Sequence, residues 1–505
     1  MKVINIMNFV RELDPRIENS RELLFNTTKQ ELDLVNEFGY ENTFLLQYDA
    51  LIDRRYQELF KEQAKQNTEL GLWLEIAEPL TSACNLPWRG RPGWLWDSHV
   101  VPGFSMAYTP EQRESIIDEC MRAFHLVFGY YPKTVASWLL DSHTANYLYD
   151  KYHISTLAIC RDQTNTDAYT LVGGYFNGAY YPSRNNIFTP AQTREYQLPV
   201  PVFRLLGPDP VHNYDNDKYL YGDDSIYYRA GEEYQGCYTM EPAWPCGQNP
   251  RIIDWFLHEF YCNEDMGFSY SQIGQENSFA EVDFLPSLRM CFEKLREHSD
   301  INILKMADAG ECFRRLFPNG TPATSVCALN DWNRPEDIQS IYYDCASYTA
   351  NLFREKNRIF IRSLYLFDER VPESYLYTPC QTWDATYENL PIVDTLSCNE
   401  HNGLCLTTNG SGLSIRRNDT SLCVKWDQSS IIFSPERIQI DTGIISLDEH
   451  FIKAPWHLDK GRIIFAYKGT PYALITNANI IYKDGKLLFD SKSSSIVFEF
   501  QRGSY

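Results

Sequence analysis

Two stretches, Val135-Ala-Ser-Trp-Leu-Leu-Asp141 and Ser271-Gln-Ile-Gly-Gln-Glu276-Asn-Ser278, decide how the chain is read. Each places a carboxylate just past the carboxyl end of an apolar, strand-like run, which is where parallel β/α barrels keep their catalytic groups. Two acids brought together this way predict a carbohydrate-cleaving site, because glycoside cleavage needs one group to protonate the departing oxygen and another to attack or stabilise the anomeric carbon. The structural alternative is that Asp141 caps the following helix and Glu276 lies in a solvated loop.

Working outward, strand and helix signals alternate over the first three hundred residues. Val3–Val10 is an apolar run, and Ser20–Phe38 has helical spacing that closes at Gly39. Asn42–Asp49 and Leu70–Glu78 read as the second and third strands, with Arg54–Gln66 helical between them. Thr109-Pro110 opens a helix that runs to Phe128 before Gly129, and the fourth strand then delivers Asp141. Ser155–Cys160, Pro199–Leu206 and Gly267–Ile273 complete seven strands, with helices expected at Thr144–Tyr152, Pro250–Cys262 and Phe284–His298. Repeated units of this length predict a (β/α)7-type parallel barrel over residues 1–322. From 323 to 505 the pattern changes to short alternating strands such as Arg358–Phe367 and Arg462–Tyr467, separated by Lys-Asp-Gly and Asp-Lys-Gly turns. That half is read as an antiparallel, β-sandwich-like domain.

Composition narrows the partners. A net charge of −21 would repel nucleic-acid phosphates, so a neutral substrate fits better. Aromatics at 14% provide flat rings on which sugar C–H faces can stack. No apolar run reaches the roughly 18 residues of a membrane span, so the chain is read as soluble and cytoplasmic, with a homo-oligomer left open. The fourteen cysteines include no CxxC pair and are read as reduced, and the ten histidines include no HxxxH or HxH pair, so neither a metal nor another cofactor is expected.

Around the two acids, Asp49, Glu75, Asp162 and Asp167 are placed at other strand ends with Arg161 among them, a set suited to hydrogen-bonding sugar hydroxyls. Trp94 and Trp96, in the Gly- and Pro-rich excursion between Cys84 and Tyr108, are expected as stacking platforms together with Tyr175. Trp138 and His143 flank Asp141 and complete the expected substrate-binding set, with Glu281 as a rival to Glu276 for the acid.

On these residues the chain resembles the glycoside hydrolase/deacetylase superfamily of seven-stranded barrels, which includes NodB-type polysaccharide deacetylases, class II α-mannosidases and the α-amylase family numbered fifty-seven. Trp138-Leu-Leu-Asp141 falls in the register of that last family's Trp-Leu-Pro-Glu nucleophile segment, and Gly274-Gln275-Glu276 resembles its Asp-x-Glu acid segment in part. Phe128-Gly-Tyr-Tyr-Pro-Lys133, Cys160–Gly174 and Tyr180-Tyr-Pro-Ser-Arg-Asn185 are similar to a two-domain gut-bacterial family grouped with the glycoside hydrolases, without an assigned reaction. The resemblance implies a retaining glycosidase acting on an α-linked neutral sugar, with Asp141 as nucleophile and Glu276 as acid/base. A metal-dependent deacetylase is the alternative, and a non-catalytic sugar-binding protein is a third. The deacetylase pattern puts an Asp-Asp pair on strand one and two histidines at helical spacing, where this chain offers Asn8 and Arg11 and no such histidines.

Overall fold

Every expected barrel strand forms. The computed structural model describes residues 1–166, 169–176, 178–205, 250–258, 266–278, 284–330, 338–396, 400, 402–491 and 495–503. The strands are β1 (Lys2–Val10), β2 (Asn42–Leu46), β3 (Thr68–Trp73), β4 (Thr134–Ala136), β5 (Thr156–Cys160), β6 (Val202–Leu205) and β7 (Ser269–Ile273). They pair in parallel in the order β7-β1-β2-β3-β4-β5-β6. The circle is nearly closed: Phe203 of β6 and Tyr270 of β7 meet edge-on at 4.8 Å without a ladder between their strands. Near-continuous apolar runs explain the parallel arrangement, because strands covered on both faces leave no position for solvent-facing residues. In β1 every residue from Val3 to Val10 is buried, Asn5 and Asn8 included.

The helices obey their end signals. Gly39 ends α1 (Ser20–Phe38) and Gly129 ends the later helix over Pro110–Phe128, both at left-handed φ. Thr109 and Gln112 form a reciprocal capping box at the start of the latter, as Thr-Pro-Glu-Gln would dictate. At α1 the residue before the helix is Asn19, also left-handed, and its side chain makes no capping hydrogen bond.

Beyond the barrel lie two antiparallel sheets. One runs through Thr324–Ala328, Ile338–Asp344, Tyr348–Glu355 and Arg358–Leu366; the other includes Leu422–Trp426, Ser429–Phe433, Thr470–Thr476 and Ile496–Arg502. They share one hydrophobic cluster, to which Ile341, Leu352, Val424, Ile431 and Phe498 belong. Lys460-Gly461, Lys468-Gly469 and Asp484-Gly485 each have two consecutive positive φ angles, the type I′ geometry that matches strand twist. This region also packs on the barrel. Val326, Tyr342, Phe353 and Tyr387 belong to the barrel's own cluster, and Ala385–Glu388 pairs in parallel with Tyr169–Val172, which follows β5.

No described cysteine is in a disulfide. No described helix is long and apolar enough to cross a membrane.

Gly274, which follows β7 and precedes Glu276, has φ +154°, and a Cβ there would fall on the carbonyl oxygen of Met7 in β1. That atom is backbone and cannot rotate away. Gly274→Ala should therefore cost well over the ~1 kcal/mol of an average substitution, read as a lower urea midpoint, and it should displace Glu276 as well.

Candidate functional site

At the carboxyl end of the barrel the chain leaves β1 at Val10 and turns through Arg11, Glu12, Leu13 and Asp14. Arg11 is 2% exposed, and its guanidinium reaches three carboxylates from three segments. Nη1 lies 3.5 Å from Asp14 Oδ2, while Nη2 lies 3.4 Å from Glu75 Oε2 past β3 and 3.2 Å from Glu276 Oε2 past β7. Asn277 fixes the backbone here: its Oδ1 accepts from the Arg11 N–H at 3.1 Å and its Nδ2 donates to the Arg11 carbonyl at 2.8 Å. Trp73 Nε1 donates to Glu75 at 2.9 Å, and Ser278 Oγ donates to Glu276 at 2.5 Å. Below this group an aromatic plug fills the barrel, with Phe9 stacked on Trp73 at 4.3 Å and Trp138 edge-on to both. Above it the Trp96 ring lies 4.1 Å from the Arg11 guanidinium carbon and 4.9 Å from that of Arg16.

Burial sets the electrostatics. Desolvation pushes the Glu276 carboxyl above the ordinary glutamate range, with the charge of Arg11 opposing it. Glu31, projecting from α1, is fully buried with neither carboxyl oxygen hydrogen-bonded, and desolvation followed by the charge of Glu276 pushes it far up. Burial pulls the Arg11 guanidinium down, but Glu276, Glu75 and Asp14 more than offset it, so the cation persists. Beside the cluster an open hollow of about 430 Å³ is lined by Leu13, Pro15, Ile17, Arg21 and Leu95, among others. Leu95 adjoins Trp96, and Leu13 and Pro15 flank Asp14, so the same loops shape both.

The expected site residues divide. Glu75, Glu276 and Trp96 meet around Arg11, with Trp138 in the plug beneath. Asp49 is buried nearby, accepting from the backbone N–H groups of Glu12 and Ala50, and burial pushes its carboxyl to about 7. Trp94 is half-buried with Arg91 stacked 3.5 Å away. His143 pairs with Glu114 on the barrel's outer helices at 3.1 Å. Arg161 is buried, and Asp162 is a structural anion that accepts from Arg204 at 2.7 Å and from the Gly174 N–H at 2.9 Å. Tyr175, expected as a stacking platform, is wholly buried and its hydroxyl donates to the Pro322 carbonyl, because the C-terminal sheet covers it. Asp167 and Glu281 lie outside the described residues.

Asp141 requires a correction. It is the N-cap of α2 (Ser142–Tyr152), 0% exposed, and accepts from Thr144 N–H and Oγ1, from Ser105 Oγ at 2.6 Å and from Arg113 Nη1 at 2.8 Å. A carboxylate closed in by four donors has no face left for an anomeric carbon, so the helix-cap alternative describes it. Sequence reasoning singled out neither Asp14, Arg16 and Glu31 nor Ser278. The available signal was Arg11 itself, a charged residue ending an apolar strand in the register where the barrel presents its functional groups.

A divalent metal does not fit the described residues. No group of three His, Cys, Asp or Glu side chains among them is arranged to hold a metal ion, and the position where the deacetylase pattern has aspartates holds the Arg11 guanidinium.

No protein-family model matches the chain, and no curated protein matches it. Solved structures do. A Parabacteroides distasonis protein classed as a glycoside hydrolase/deacetylase superposes with a TM-score of 0.54 at 13% identity, covering 79% of this chain and 93% of that one. Polysaccharide deacetylases so classed from Mycobacterium smegmatis (TM-score 0.37, 13% identity, 62% and 90% covered) and Pseudomonas aeruginosa PAO1 (0.37, 11%, 63% and 92%) also match. The fold is that of the glycoside hydrolase/deacetylase barrels, followed by an antiparallel β region, as the sequence resemblance implied. The retaining glycosidase is overturned: its intended nucleophile, Asp141, is a helix cap whose carboxylate is sealed by four donors.

Two outcomes follow from this geometry. Asp141→Asn leaves Arg113 a buried cation without its counter-charge, which should cost about 3–5 kcal/mol in urea unfolding. Burial pushes Asp49 and Asp344 to about 7, and burial together with the charge of Asp141 pushes Glu373 to about 8. The folded state then keeps protons that the unfolded chain releases near pH 4. The stability these protons contribute is complete below that pH and is lost as pH rises through 7 to 8. Thermal midpoints should fall between pH 5.5 and 9, and Glu373→Gln should flatten the upper part of that fall.

Proposed function

We propose that the protein is a hydrolase of the carbohydrate deacetylase type, removing an acyl group from a neutral saccharide at the carboxyl end of the barrel. The observation that carries the reading is Glu276: a buried carboxylate, raised above its ordinary range and held between Arg11 and Ser278 beneath Trp96. The barrel fold, shared with a protein classed as a glycoside hydrolase/deacetylase, supports a carbohydrate-directed hydrolase, and the strongly acidic chain favours an uncharged substrate.

A carboxylate whose pKa is moved toward neutrality is suited to act as a general base. Glu276 takes a proton from water as the water oxygen bonds to the acyl carbon. The tetrahedral intermediate then collapses with cleavage of the C–N or C–O bond, and the proton passes from Glu276 to the departing nitrogen or oxygen. The adjoining hollow, lined by Leu13, Pro15 and Leu95 among others, supplies room for the sugar. No step is assigned to a metal, because the described residues offer no ligand set for one.

The test is a panel of N-acetylated and O-acetylated oligosaccharides alongside aryl α- and β-glycosides, with acetate and aryl release measured together. Acetate release without glycoside cleavage is expected. Glu276→Gln should lower it by about 100-fold or more, and the acid limb of the wild-type pH–rate profile should lie above the ordinary glutamate range. Aryl release without acetate would refute the reading, as would saccharide binding with no turnover of any substrate.

A further inference from the structure

We propose that Arg11 is the resident cation of this site, supplying in the protein's own chain the fixed positive charge for which a metal-dependent deacetylase uses an ion. Three carboxylates converge on its guanidinium from the β1 loop, the end of β3 and the end of β7, at 3.5, 3.4 and 3.2 Å. None of the three contacts is a short bidentate pair. The guanidinium is shared among the carboxylates, as a central ion would be, and is not committed to one of them.

Two unpartnered donors add an independent observation. Arg11 Nε and Trp96 Nε1 are both buried, and neither has a hydrogen-bond partner in the structure. They belong to groups stacked 4.1 Å apart. A buried N–H without an acceptor costs free energy comparable to a lost hydrogen bond, so two such donors on stacked groups mark a place for an acceptor oxygen. Arginine also keeps its charge when buried, because its guanidinium cannot be deprotonated in proteins. The role assigned to that oxygen rests on the deacetylase reading: it is the acyl oxygen, on which negative charge develops as water adds. The cation's place among the carboxylates does not depend on that reading.

The experiment separates the two. Protein dialysed against chelator is titrated with MnCl2 and with ZnCl2 by calorimetry and thermal shift, without substrate. Wild type and Arg11→Lys should show no saturable binding, since each keeps a cation in the cage. Arg11→Ala, which takes away the guanidinium that Asp14, Glu75 and Glu276 share, should bind one equivalent. With acetylated substrate, Arg11→Ala should lose about 100-fold or more, and millimolar guanidinium chloride should restore part of the loss. One equivalent of metal on wild type, removed by Glu276→Gln, would overturn the inference, and so would a folded Arg11→Ala that binds neither metal. Should Arg11→Ala fail to fold, wild type and Arg11→Lys decide: silence of both supports the inference, and binding by either refutes it. If Arg11→Ala gains the metal while no variant releases acetate, the resident cation stands and the deacetylase reading falls.

Discussion

The buried pair between Arg113 and Asp141 ties the carboxyl end of the barrel together. Arg113, on the helix over Pro110–Phe128, also donates to the carbonyls of Tyr108, Met106 and Tyr375, so one guanidinium joins that helix to the excursion before it and to the C-terminal region. Asp141 returns the favour by capping α2 and fixing Ser105. Neighbouring Ser142 donates from its backbone and hydroxyl to Glu373, at 2.8 and 2.9 Å. Two ionised groups without solvent are tolerable only because nearly every lone pair and N–H around them is used. That requirement is what fixes the loops above β4 in one arrangement.

Legibility followed the range of the interaction. The barrel strands, the capping box at Thr109 and the Lys-Gly and Asp-Gly hairpins are local signals, and they were readable to within a few residues. Strand ends were read too long: β3 stops at Trp73, and the ladder of β4 stops at Ala136, since beyond these points the chain turns into loops that keep apolar residues buried without pairing. Asp141 was open to two readings because its cap partner Thr144 is three residues away while Arg113 is twenty-eight away. Only the nearer partner leaves a trace in spacing.

The candidate site shows the same limit. Glu75 and Glu276 stood out as acids after strands, and they do meet. What they meet around could not be read, since Arg11 acquires its role from two strand ends far along the chain. Tyr175 was placed in the site for its chemistry and is removed from it by topology, because the C-terminal sheet lies over it. A carboxylate's role here depends less on its position after a strand than on how many donors already occupy its oxygens: four at Asp141, fewer at Glu276.

The parallel pairing of Ala385–Glu388 with Tyr169–Val172 bears on the order of events during synthesis. A chain released only as far as the end of the barrel would hold Ser142 without Glu373, Arg113 without Tyr375 and the strand at Tyr169 without its parallel neighbour. The mouth of the barrel therefore cannot be completed until residues more than two hundred positions beyond Arg113, Ser142 and Tyr169 have left the ribosome. Its nascent form has to wait, partly built, for its own far end.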